Sequence, residues 1–74
     1  DGRIIFRNEN INNMIIKLER IYDVIIINNN IELNKMFINA TFLTEKETIQ
    51  DVLDYLAKIY KVDYQIMNNK IIIN

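Results

Sequence analysis

The sequence predicts an α+β domain of order β-α-β-β-α-β-β, built as two βαβ halves with one further strand at the C-terminus. Three observations predict it. First, one hydrophobic phrase occurs twice: Ile11, Met14, Ile15, Leu18, Ile21, Tyr22, Val24, and again Ile49, Val52, Leu53, Leu56, Ile59, Tyr60, Val62. The offset is constant (49 − 11 = 38), and Ile-Tyr-x-Val closes both copies. Two copies are too few for a solenoid and fit a small domain of two similar halves. Second, each copy has helical spacing that runs straight into β-prone sequence. Third, Asn68-Asn69 separates two β-prone runs, and two residues tolerant of positive φ suit a tight type I′ hairpin.

Each element follows from its residues. Ile4-Ile5-Phe6 is a short β-prone run, and Arg7 to Asn10 reads as a polar turn. From Ile11 to Tyr22 the apolar residues fall at i, i+3, i+4, i+7 and i+11, one face of a helix. Asn8 or Asn10 serves as its cap. Glu9 near its start and Lys17 and Arg20 towards its end complement the helix dipole. Val24 to Ile27 is unbroken β-branched sequence, a strand covered at least in part on both faces. Asn28-Asn29-Asn30 ends it, and a loop runs to Lys35 with Ile31 and Leu33 as anchors to the core. Met36 to Phe42 is a strand, with Phe37, Asn39 and Thr41 on one face and Met36, Ile38, Ala40 and Phe42 on the other. Two capping patterns compete for the second helix, Thr44 with Glu47 and Thr48 with Asp51. Its stripe is Ile49, Val52, Leu53, Leu56, Ala57 and Tyr60, and Asp54 to Lys58 is an i,i+4 pair on its surface. Val62 to Met67 and Lys70 to Ile73 are the last two strands.

Seventy-four residues make one domain, residues 1–74. So small a domain hides only about 60% of the surface its unfolded chain exposes, so its core has to be rich. Half the residues are hydrophobic and 17 are isoleucine, which supplies such a core without staples. The chain begins at Asp1 and not at Met, so we expect it to be a part excised from a longer protein.

Composition narrows the chemistry. There is no cysteine, hence no disulfide framework and no thiolate metal site. There is no histidine, the usual general base and the commonest metal ligand. Net charge is −1 with acids and bases scattered, so no basic stripe marks a nucleic-acid footprint. No apolar run reaches the roughly 18 residues of a membrane span. Glu45 with Glu47, and Asp51 with Asp54, are carboxylate pairs that the start of a helix explains through its dipole. Thr41, Thr44 and Thr48 have no base partner. The lone Gly2 cannot build a phosphate-cradling loop. Tyr22 and Tyr60 belong to the repeated stripe and read as core, not as a base-stacking platform. The sequence therefore leads us to expect no enzyme, no cofactor, no metal and no nucleic-acid partner.

Two residues lie off the stripes. Ile16 sits about 140° from Ile11 around the first helix, and Tyr55 about 120° from the mean apolar face of the second. They are isolated exposed residues, or helices covered on more than one side, as between two sheets, or parts of a partner interface; the second-layer reading leads and the interface reading follows. The strands Val24–Ile27 and Ile71–Ile73 are apolar on both faces, which means either burial on both sides or an edge that pairs with another chain. The candidate partner-interface residues are therefore Ile16, Tyr55, Ile71, Ile72 and Ile73, and they point to binding and away from catalysis.

Five motifs in order carry a family resemblance across nearly the whole chain. They are Ile5-Phe6-Arg7-Asn8; Leu18-Glu19-Arg20-Ile21-Tyr22-Asp23-Val24; Ile38-Asn39-Ala40-Thr41-Phe42; Thr48 through Ala57; and Tyr64 through Ile73. The sequence resembles the C-terminal domain of FecR-type anti-sigma factors, regulators of iron- and glycan-uptake systems, in the form abundant in Bacteroidetes. Ala40 stands where that family usually has glycine, and Ile21 where it usually has an aromatic residue. The resemblance implies a fold like the short signalling (STN) domain at the N-terminus of secretins and TonB-dependent transducers, with two helices packed between two small sheets. It implies a periplasmic interaction domain of an inner-membrane protein whose span lies outside this chain. The partner it implies is the signalling domain of a TonB-dependent outer-membrane transducer. The alternative is that the chain is itself the STN domain of a transducer or secretin.

Overall fold

The hydrophobic phrase becomes two helices of equal length at the offset read from the sequence. A computed structural model describes residues 2–74, in the order β1 (Arg3–Asn10), α1 (Ile11–Tyr22), β2 (Ile25–Asn28), a 3₁₀ helix (Glu32–Lys35), β3 (Phe37–Leu43), α2 (Ile49–Tyr60), β4 (Tyr64–Met67) and β5 (Lys70–Ile73). This is the predicted α+β order of two βαβ halves and a closing strand.

The helix ends show why these residues stop and start where they do. Asn10 caps α1, its side chain accepting from the Asn13 N–H. Thr48 and Asp51 form a complete capping box on α2, which settles the choice against Thr44 with Glu47. Both helices end on a left-handed residue, Asp23 at φ 55° and Lys61 at φ 57°, again 38 positions apart. The repeat therefore extends from the stripe to the backbone geometry of the C-caps.

Two sheets enclose the helices. In the first, β1 pairs antiparallel with β3, from Arg3 opposite Leu43 to Asn10 opposite Phe37. In the second the order is β2-β5-β4, with β5 parallel to β2 and antiparallel to β4. The strand outside the duplication thus joins the halves: β2 and β4 occupy equivalent places and never touch, and β5 fills the space between them.

One core runs through both halves. Phe6, Ile11, Met14, Leu18, Leu33, Ile38, Phe42, Val52, Leu53, Leu56, Ile71 and Ile73 are all buried nearly completely. Tyr22 and Tyr60 are half-buried and pack against this core. The Tyr22 hydroxyl also donates to the Glu47 carbonyl at 2.9 Å, tying the end of the first helix to the approach of the second.

Four expectations need correction. Arg7 to Asn10 is not a turn but the continuation of β1 through a bulge, where Asn8 takes φ 52° and its N–H is satisfied by the Asn39 side chain at 2.9 Å. The Asn68-Asn69 turn is not type I′, because only Asn68 has positive φ and that turn needs it at both positions. Ile31 is not an anchor: it is 71% exposed, while Leu33 beside it is fully buried. Asp54 does not hold Lys58; its carboxylate accepts the Tyr64 hydroxyl.

Candidate interaction surfaces

Sheet edges and exposed apolar side chains are the features of this fold that another protein could engage. The described residues enclose no pocket and bring no three acidic side chains together as a metal site. No described helix is long and apolar enough to cross a membrane.

The sequence-predicted residues separate into two groups. Ile71 and Ile73 are 0% and 1% exposed, on the face of β5 that covers the helices. Tyr55 is half-buried against the core, its ring edge-on to Phe42 at 5.4 Å, and its hydroxyl donates to the Asn39 carbonyl at 3.4 Å. The second-layer reading of an off-stripe residue therefore describes Tyr55. It does not describe Ile16, which is 51% exposed. Ile72 lies on the outer face of its sheet, opposite Ile27 on one side and Gln65 on the other. The expectation that Ile71–Ile73 offers a pairing edge is corrected: β5 is the central strand of its sheet, so both of its edges are already hydrogen-bonded.

The outer face of that sheet is an apolar patch the sequence reading passed over. Ile25, Ile27 and Met67 are exposed there around Ile72, with Gln65 and Lys70 as its polar members. The signal was present in the β-branched run at residues 25–27. The pattern alone could not tell burial on two faces from exposure on one.

The four free sheet edges differ in what protects them. The outward N–H of Ile26 on β2 is taken by the Glu19 carboxylate at 2.9 Å. On β3 the outward N–H of Leu43 donates to Glu47 Oε1 at 2.7 Å. The N–H of Asn39 reaches the Tyr60 hydroxyl and its carbonyl receives the Tyr55 hydroxyl, both at 3.4 Å. Side chains of the protein's own helices, and of Glu47 in the segment before α2, thus cover these two edges. The β1 edge carries Arg3, Arg7 and the bulge at Asn8, all ordinary deterrents to strand pairing. The β4 edge has none of these. Asp63 and Asn74 exchange both main-chain hydrogen bonds, so the alternation turns Tyr64 and Ile66 outward. Among the described residues no side chain caps either N–H.

Electrostatics is quiet around these surfaces. Lys17 Nζ bonds Glu9 at 2.8 Å and lies 5.8 Å from the centre of the Phe6 ring. That bond holds the half-buried Glu9 carboxyl below the usual carboxylate range. The hydrogen bond to Asp54 raises the Tyr64 hydroxyl, and burial, followed by the nearby Glu47 and Asp51, raises that of Tyr22.

The model of the family described as FecR, C-terminal, matches residues 3–73, all but three residues of the chain. The chain belongs to that family. Two crystal structures of proteins assigned as anti-sigma factors from Parabacteroides distasonis share the fold of this FecR C-terminal domain. One has a TM-score of 0.85 at 19% identity, covering 99% of this chain and 34% of that one. The other has a TM-score of 0.83 at 19% identity, covering 97% and 33%. The FecR C-terminal domain thus spans about one third of the length of these structures, and at this identity the likeness concerns fold. The comparison with curated proteins gives no match. Family membership supports a part in signal regulation, and the family is not one of enzymes.

Proposed function

We propose that this domain is the periplasmic protein–protein interaction part of a membrane-anchored anti-sigma regulator. It receives its signal from the signalling domain of a TonB-dependent outer-membrane transducer and passes that signal inward through a span outside the chain. The observation that carries the reading is the FecR C-terminal match over residues 3–73. The shared fold with structures roughly three times as long supports a single module, residues 1–74, within a larger regulator. The surfaces suit such a part, since they offer exposed strands and apolar side chains rather than a pocket.

Among the residues that the sequence singled out, Ile16 and Ile72 are the ones free to touch a partner. Ile71, Ile73 and Tyr55 contribute by holding the strands and helices that present the surface. Titration calorimetry with the cognate transducer's signalling domain tests this reading, using a protein that retains any upstream periplasmic segment. Saturable one-to-one association is expected. Absence of heat and of any chemical-shift change at millimolar concentration would count decisively against it.

A further inference from the structure

The duplication makes the uncapped β4 edge informative. Ile26 and Tyr64 are equivalent at the 38-residue offset, and each has its main-chain N–H turned to the free side of the second sheet. In the first half Glu19 reaches from α1 to cap Ile26. Its equivalent on α2 is Ala57, which has no group to offer Tyr64. The same architecture that closes one edge of the sheet therefore leaves the other open. The open segment Tyr64-Gln65-Ile66-Met67 has no charge, no proline and no bulge, and Ile66 is 41% exposed although it faces the helix side of the sheet.

We propose that the β4 edge is a docking site for an extended segment of the signalling partner, which adds as a fourth strand beside β4. This rests on the proposed function and specifies its contact. An extended main chain complements outward N–H and C=O groups spaced two residues apart all along the edge, where no described side chain of the protein does so. Side chains set the chemistry of the segment. Two consecutive apolar residues cover Ile66 on the helix side and Met67 on the outer face. A basic residue suits the position passing Tyr64, because the Asp54 carboxylate stands there holding the Tyr64 hydroxyl. The added strand also extends the apolar outer face formed by Ile25, Ile27, Ile72 and Met67.

The test uses amide hydrogen exchange and calorimetry with the cognate transducer's signalling domain. The Tyr64 and Ile66 amides exchange freely in the isolated domain and become protected in the complex, while the Ile26 amide keeps its protection throughout. Ala57→Glu, which rebuilds the cap of the first half, weakens binding about tenfold or more, the effect of losing one or two main-chain hydrogen bonds. Ile66→Pro removes an outward N–H that the ladder to β5 does not use and has the same effect. Unchanged circular dichroism and melting confirm the fold of each variant, and Ala57→Gln serves as a second variant if Ala57→Glu fails to fold. Binding by the wild-type protein with no protection of Tyr64 and Ile66, and no loss in the variants, overturns the edge and leaves the proposed function standing. No binding by the wild-type protein overturns both.

Discussion

The two halves share a phrase, a helix length and a C-cap geometry, yet they differ in how each finishes its surface. Where the first half has Lys17, held to Glu9 and lying over Phe6, the second has Tyr55 edge-on to Phe42. The first half exposes Ile16 where the second places Asp54 against Tyr64. Glu19 closes β2, while Ala57 leaves β4 open. Duplicated positions that face the core are preserved in kind, because packing constrains them. Several equivalent positions at the surface have diverged, Glu19 to Ala57 among them, although the exposed Ile21 and Ile59 have not.

The comparison is broken most severely in the core. Leu18 and Leu56 are equivalent, and each is 1% exposed. Truncation of either to alanine should cost about 2–5 kcal/mol, from lost transfer energy and the cavity left behind. If the halves are equivalent in packing, the two losses agree within about 1 kcal/mol in urea titrations. A much smaller loss at Leu56 would show that the second half packs more loosely than its sequence twin. Stability is itself marginal in a domain of this size, so either variant can approach global unfolding.

Most of the fold was legible because periodicity reports burial. The helix Ile11–Tyr22 was read from its stripe, and the second helix likewise except for its start, which Thr44 and Thr48 left open and which the capping box of Thr48 with Asp51 fixes. The element order followed from the β-prone runs around them. What periodicity could not report was pairing. Nothing in Ile71-Ile72-Ile73 distinguishes a central strand from an edge, and only the topology shows that β5 lies between β2 and β4. Arg7 to Asn10 looked like a turn because polar residues break alternation, but a bulge tolerates the interruption that a regular ladder would not. The open β4 edge was hidden for a related reason. Its signal is the absence of a carboxylate at Ala57, and that absence has meaning only once Glu19 is seen to cap the equivalent strand.

The cap itself gives the next effect in size. Glu19→Ala leaves the Ile26 N–H without its charged acceptor and should destabilise the domain by about 1–2 kcal/mol. It should also make β2 resemble β4. Sedimentation velocity is expected to show more self-association for Glu19→Ala than for the wild-type protein, and Glu19→Gln, which keeps an acceptor, should stay near wild type. Equal behaviour of the alanine and glutamine variants would mean that the cap does not protect the edge.

The left-handed caps sharpen the comparison by tenths of a kcal/mol. Asp23 and Lys61 adopt nearly identical backbone angles, φ 55° ψ 52° and φ 57° ψ 48°. Aspartate tolerates this region better than lysine because its short polar side chain bonds locally. Glycine removes the steric cost but adds unfolded-state entropy. Lys61→Gly should therefore stabilise by about 0.5 kcal/mol, and Asp23→Gly by less. Thermal melts of the two variants against wild type check both the sign and the order. Equal shifts would show that side-chain type at the cap does not matter here.

The smallest expected effect is the pH response of the first half alone. The hydrogen bond from Lys17 holds the Glu9 carboxyl below its ordinary value, and the Asn13 side chain adds to this. A carboxyl lowered in the folded state contributes stability that is present above its unfolded value, near 4.3, and is lost as pH falls through its folded value. Because the pair lies at the surface, with the Lys17 side chain 47% exposed, salt weakens the contribution. Glu9→Gln should therefore reduce the difference in stability between pH 6 and pH 2 at low ionic strength, and more weakly in high salt. In the second half Glu47, the equivalent of Glu9, faces the Leu43 N–H instead of a lysine. An acid-dependence that survives Glu9→Gln unchanged would place its source outside the Glu9–Lys17 pair.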